Sequence, residues 1–119
     1  MTQYKLGEVE SAFADLIWDN EPLASNQLVE LCRERLEWKK STTYTVLRRL
    51  CQRGIFQNEE GVVTSRLSRE EFAARQSEEF VEQAFGGSLP KFLTAFTRRK
   101  KLTDEEVRQL QQLIDESRR

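Results

Sequence analysis

Apolar residues recur along this chain at two spacings, and the places where the spacing changes mark its elements. Across residues 8–18, Val9, Ala12, Phe13, Leu16 and Ile17 fall three or four apart and predict a first amphipathic helix. Asp19, Asn20, Glu21 and Pro22 end it with turn chemistry. A second helix is predicted from about Ser25, a suitable N-cap, with Leu28, Val29, Leu31, Cys32 and Leu36 inward. A short polar connection beginning at Glu37 leads to a third helix within residues 39–53, closed by Gly54. The period then shifts. Ile55-Phe56-Gln57-Asn58 and Val62-Val63-Thr64-Ser65-Arg66-Leu67 read as two short strands around Glu59-Glu60-Gly61. Helical spacing resumes at Ser-Arg-Glu-Glu, residues 68–71, a capping box opening a fourth helix that runs to Gly86-Gly87. A fifth helix carries Leu89, Phe92, Leu93 and Phe96 with Pro90 in its first turn. A second capping box, Thr103 to Glu106, opens the last helix, which carries Val107, Leu110, Leu113 and Ile114.

Three helices followed by a β-hairpin is the order of a winged helix-turn-helix. The expected fold is therefore mostly α with a small β-hairpin wing: a winged-helix domain over residues 1–67, then a helical dimerisation region over residues 68–119. Three amphipathic helices after a complete small domain need a surface to cover. A second subunit supplies one, which makes Phe72, Phe80, Ala84, Leu89, Phe92, Leu93, Phe96, Val107, Leu110, Leu113 and Ile114 the expected dimer interface. The first helix of the same chain is the other possible surface.

Composition narrows the function. With 33% charged and 38% hydrophobic residues in 119, the chain suits one domain with a helical appendage. No apolar run exceeds three residues, so no membrane span is expected, and the N-terminus MTQYKLGEVE lacks a secretion signal. Cys32 and Cys51 show no CxxC spacing, which fits a reducing cytoplasm; they read as buried structural thiols or as redox sensors. The absence of histidine removes Ser–His and Cys–His nucleophile pairs and the commonest catalytic base, so enzyme activity, a metal site and a cofactor are not expected.

A net charge of −1 argues against nucleic acid until its distribution is read. Residues 38–58 hold Lys39, Lys40, Arg48, Arg49 and Arg53 and no acid, which is either a solvated helix face or a face that holds phosphate. Wound at about 100° per residue, the third helix turns Thr43, Val46, Leu47 and Leu50 inward and Ser41, Thr45, Arg48 and Gln52 outward, with Tyr44 and Arg49 on the flanks. Arginine can bond guanine bidentately, hydroxyls bond bases or phosphates, and a threonine methyl can meet thymine. Ser41, Tyr44, Thr45 and Arg48 are therefore the expected base contacts. Lys39, Lys40, Thr42, Arg49, Gln52 and Arg53 are the expected phosphate contacts. Arg66 on the second wing strand is either a further phosphate contact or an ordinary exposed arginine.

The chain resembles the bacterial penicillinase-repressor family (BlaI/MecI/CopY type) from about Tyr4 onward. The resemblance rests on Leu16-Ile17-Trp18, on Ala24-Ser25-Asn26-Gln27-Leu28, and on the run from Trp38 to Leu50 followed by Arg53-Gly54. Gly87-Ser88-Leu89, Phe92-Leu93, Phe96 and Leu102-Thr103-Asp104-Glu105-Glu106 look like the family's dimerisation segment. The resemblance implies a dimeric repressor on near-palindromic operator DNA. Its copper-responsive branch carries C-terminal CxC motifs, and no cysteine follows Cys51 here, which argues against thiolate metal sensing of that type. Its antibiotic-responsive branch is released by a sensor-linked protease before a phenylalanine, which corresponds here to the Ala95–Phe96 bond. Ala95 replaces the family's Asn, Arg98-Arg99-Lys100-Lys101 replaces a more acidic linker, and Lys39-Lys40 stands where some relatives have Ser-Pro. Phe96 also reads as a dimer-core aromatic, and its helical spacing favours that reading. Two other functions fit the same fold: a winged-helix module that docks a protein, and a small-molecule-responsive sensor.

Overall fold

A computed structural model describes residues 4–118. The order is α1 (Glu8–Asn20), β1 (Leu23–Ala24), α2 (Ser25–Leu36), α3 (Lys40–Gln52), β2 (Phe56–Glu59), β3 (Val62–Ser65), α4 (Arg69–Phe85), α5 (Leu89–Arg99) and α6 (Asp104–Ser117). The described residues fall into two compact units that part between Glu79 and Phe80.

In the first unit, α1, α2 and α3 surround a core of Phe13, Ala14, Ile17, Leu28, Cys32, Val46, Leu47 and Leu50, sealed by Ile55, Phe56 and Val63 from the strand region. Phe13 and Phe56 are completely buried, and withdrawing each from water is worth about 1.5–3 kcal/mol. The α2–α3 turn passes through Glu37 in the left-handed region, φ 56°. It delivers Trp38 onto Phe13, with ring centroids 5.4 Å apart in a stacked arrangement. The two-residue turn Glu60-Gly61 joins β2 to β3 with φ of 52° and 82°. Positive φ at both central positions gives the turn the twist of the strands, and glycine meets the second without strain.

One element was not foreseen. Leu23 and Ala24 pair antiparallel with Val63 and Val62, so the sheet has three strands in the order β1-β3-β2. Two residues are too few for a period to register. Below them, the Glu21 carboxylate accepts from both the backbone N–H and the hydroxyl of Ser65. α2 begins at Ser25 with Ala24 in the cap position, where Ala24 N–H donates to Gln27 Oε1 at 2.9 Å. Ser25 is thus the first helical residue rather than the cap.

The Ser68–Glu71 capping box forms as expected: Glu71 N–H donates to Ser68 Oγ, and Ser68 N–H to Glu71 Oε1. The start of α4 departs from expectation. Phe72 is only 5% exposed. Its ring lies 5.6 Å from Trp18 and 6.0 Å from Tyr4. Trp18 also packs on Phe56 and donates its indole N–H to Leu67 O at 3.0 Å, while Arg69 stacks over its face and pairs with Asp15 and Asp19. Phe72 therefore completes the winged-helix core and is not available to a second subunit. For the same reason the packed unit extends to Glu79, beyond the boundary expected after Leu67.

The second unit holds the end of α4 with α5 and α6. Gly86 and Gly87, at φ 58° and 83°, close α4, and Gly87 N–H returns to Val81 O. Ser88 Oγ caps α5 and Thr103 Oγ1 caps α6, the latter in a reciprocal box with Glu106. Phe92 is the centre of an aromatic cluster, its ring 5.6 Å from Phe85 and 6.1 Å from both Phe80 and Phe96. Yet no residue of α5 or α6 is fully buried, and Phe80, Leu89, Phe96, Val107, Leu113 and Ile114 are 43–59% exposed.

The placement of Phe72 is testable. Phe72→Ala should cost about 3 kcal/mol or more in urea unfolding, the usual penalty for emptying an aromatic site in a core. The chain's mass in solution should not change. A normal midpoint with an altered mass would return Phe72 to the subunit interface.

Candidate nucleic-acid interface

Helix α3 is built so that one side must be buried. Thr43, Val46, Leu47 and Leu50 are all 8% exposed or less, as the spacing required. The rotation this imposes leaves Ser41, Thr45, Arg48 and Gln52 exposed in a single row, with Lys39, Lys40, Thr42 and Arg49 exposed around it. The helix starts at Lys40, with Lys39 in extended conformation at the cap and no side chain capping the end. Its first turn holds no acid. Uncapped N–H groups and two lysines give this end of α3 a concentrated positive potential, the arrangement that favours phosphate oxygens.

The flanking residues are held less freely than the sequence suggested. Tyr44 is half-buried, and its hydroxyl lies 3.1 Å from Ser25 Oγ at the start of α2. Ser25 N–H in turn donates to Gly61 O of the wing turn at 2.8 Å. Ser25 thus joins α2, α3 and the wing at one point. Its sequence context announced only a helix start, so this role was missed. Thr45 donates its hydroxyl back to Ser41 O at 2.9 Å, which leaves its methyl and its lone pairs for a partner.

Two arginines are engaged by the N-terminal part of the chain. Arg49 Nη1 lies 3.2 Å from Glu10 Oε2, and Arg53 Nη2 donates to Lys5 O at 2.8 Å. Glu10 also accepts from Gly7 N–H and so anchors the start of α1. The Arg49 side chain remains 55% exposed, and a surface ion pair of this type contributes about 0–1 kcal/mol. A phosphate can therefore compete for Arg49 at small cost. Arg48 is exposed beside it, and Arg66 is exposed past the end of β3.

The wing itself is short and acidic at its turn, with Glu59 and Glu60 exposed. Gln57 Nε2 donates to Thr64 Oγ1 across the hairpin. Any phosphate contact from this side therefore falls to Arg66.

The sequence that builds this surface matches a known family. A profile of the family described as "Penicillinase repressor" matches residues 6–116. The chain belongs to the penicillinase repressor family. Consistent with this, it is 22% identical over 116 residues to the penicillinase repressor of Bacillus licheniformis, covering 94% of this chain and 91% of that one. Family membership supports a role in repressing transcription. Among the described residues no cluster of His, Cys, Asp and Glu could hold a metal ion, and no helix is long and apolar enough to cross a membrane.

The two thiols of this family member are embedded. Cys32 is completely buried in the core against Thr43, and Cys51 is half-buried on α3. Burial pushes both thiols above their ordinary pKa; for Cys32 the nearby Thr43 hydroxyl opposes part of the rise. A raised pKa keeps the nucleophilic thiolate scarce at neutral pH. At pH 7 the folded protein should therefore react slowly with a disulfide reagent at Cys51 and not at Cys32. The rate at Cys51 should climb only as pH passes the usual thiol value of about 8.5. Fast reaction of either thiol at pH 7, followed by mass spectrometry, would contradict this.

Proposed function

We propose that the chain is a dimeric transcriptional repressor that occupies a near-palindromic operator, presenting α3 of each subunit to the major groove. The carrying observation is the outward row Ser41, Thr45, Arg48 and Gln52 on an acid-free helix whose rotation is fixed by burial. Ser41, Thr45 and Arg48 take the base edges, and Tyr44, steadied by Ser25, flanks them. Lys39, Lys40, Thr42, Arg49, Gln52, Arg53 and Arg66 hold the backbone and set register. Two such helices related by a two-fold axis would read half-sites about one helical turn, or a multiple of it, apart.

The dimer reading is supported by the exposed apolar set of the second unit. Phe80, Leu89, Phe96, Val107, Leu113 and Ile114 are too many large side chains on too small a unit to be left to water. The bond that the family resemblance marks for proteolytic relief is Ala95–Phe96. That bond lies inside α5, and Phe96 both packs on Phe92 and accepts from Lys100 N–H. Cutting it would require α5 to unwind and would remove part of the apolar set. A protein-docking role for α3 is disfavoured because its exposed row carries no large apolar anchor.

Gel shifts on promoter fragments test the division of roles. Arg48→Ala should relax the choice of sequence by about 1–3 kcal/mol at one position, whereas Lys40→Ala should weaken binding to all duplexes alike and lower the salt slope by about one. If both variants lose only uniform affinity, the base-reading assignment is wrong. If no fragment is preferred to random duplex, the repressor reading itself fails.

The native chain should sediment at twice its 14.0 kDa mass. Ile114→Asp, placed on the exposed row, should yield a folded monomer that binds DNA weakly. A stable dimer from that variant would remove α6 from the interface.

A further inference from the structure

All 20 acidic residues lie outside two stretches of the chain. One contains α3. The other, residues 83–103, holds Lys91, Arg98, Arg99, Lys100 and Lys101, as many positive charges as α3 and its flanks. All five are exposed. Among the described residues none of the five forms an ion pair, whereas Arg33, Arg69 and Arg108 each pair with a neighbouring carboxylate. The last turn of α5 accounts for Arg98 and Arg99, since cations there offset the helix dipole. It does not account for Lys100 and Lys101, which follow the helix.

The two sides of α5 differ in what they can meet. Phe92, Leu93 and Phe96 face a groove completed by Leu102, Leu110 and Leu113. Lys91 and Arg98, seven residues apart and so on one side, line a separate open depression with Thr94 and Ala95. The cationic edge runs from Lys91 to Lys101, ~15 Å at helical rise. Duplex DNA presents about one negative charge per 1.7 Å of axis, so an edge of that length faces several phosphates. A protein partner would call for large apolar anchors among the charges, and this edge has none. A lipid surface would call for an apolar side beside the charges; the exposed apolar residues of α5 and α6 are those assigned above to a second subunit, which leaves this edge none of its own.

We infer that the acid-free edge of α5 and the elbow leading to α6 form a second phosphate-holding surface for duplex DNA, distinct in sequence from α3. It adds affinity and salt dependence but no choice of sequence. This rests on the reading of the chain as a DNA-binding repressor.

The test is fluorescence anisotropy with a 40-base-pair duplex of arbitrary sequence, titrated with full-length protein across a series of salt concentrations. Arg98, Arg99, Lys100 and Lys101 are replaced together by glutamine, and sedimentation is measured in parallel. The slope of log affinity against log salt should become shallower by about 0.9 for each phosphate no longer neutralised, and affinity at low salt should fall at least about tenfold. A second variant, R98K/R99K, retains charge and should keep the native slope. The inference is overturned if the glutamine variant keeps the native slope and mass, or if the lysine variant loses the slope as well. It is also overturned if the substitutions leave DNA binding intact and instead abolish flotation with phosphatidylserine vesicles. Failure of the native protein to bind any duplex is a different result, since it defeats the repressor reading along with this one.

Discussion

Everything assigned to α3 depends on one burial constraint. Val46, Leu47 and Leu50 belong to the same packed cluster as Phe13, Ile17, Leu28 and Cys32, and Thr43 is buried with them. A helix with four such residues on one side has a single rotation about its axis that keeps them dry. That rotation sets the azimuth of Ser41, Thr45, Arg48 and Gln52 without any contact of their own. The stack of Trp38 on Phe13 anchors the entry to the helix, and the Tyr44–Ser25 contact ties its flank to α2. The surface proposed for DNA is thus held in place from behind, by core residues that never meet the ligand.

The electrostatics follow from placement in the same way. A chain of net charge −1 would be a poor ligand for a polyanion if its charges were mixed evenly. Here the acids are used elsewhere. Asp15 and Asp19 hold Arg69 against Trp18, Glu21 holds Ser65, and Glu71 and Glu106 close capping boxes. Their absence from α3 and from the α5 edge leaves the cations there with no carboxylate on their own element; the one that Arg49 meets, Glu10, comes from α1.

Most of the fold was legible because its elements are amphipathic over several turns. The capping boxes at Ser68 and Thr103, the stripe in α3 and the paired glycines after α4 each have a local cause that sequence spacing exposes. What escaped was set by distant partners. β1 is a strand only because Val62 and Val63 lie beside it. Ser25 looked like a cap, and its contacts with Tyr44 and Gly61 lie 19 and 36 positions away. Phe72 shares its periodicity with Phe80 and Ala84, so nothing local distinguishes a residue that meets Trp18 from residues that remain exposed. In the site, the exposure of Ser41, Thr45 and Arg48 was legible from helical geometry, while the restraint of Arg49 and Arg53 by Glu10 and Lys5 was not.

The seat of Phe72 bears on where this chain tolerates being cut. Ending it at residue 67 would strip the cover from Trp18 and with it the support behind Phe56 and the wing. Ending it beyond Glu79 would leave the first unit with its own full complement of packing partners. The smallest heritable module is therefore longer than the winged helix by about three turns of α4. A gene fusion or duplication that moved this domain elsewhere would have to carry those turns along.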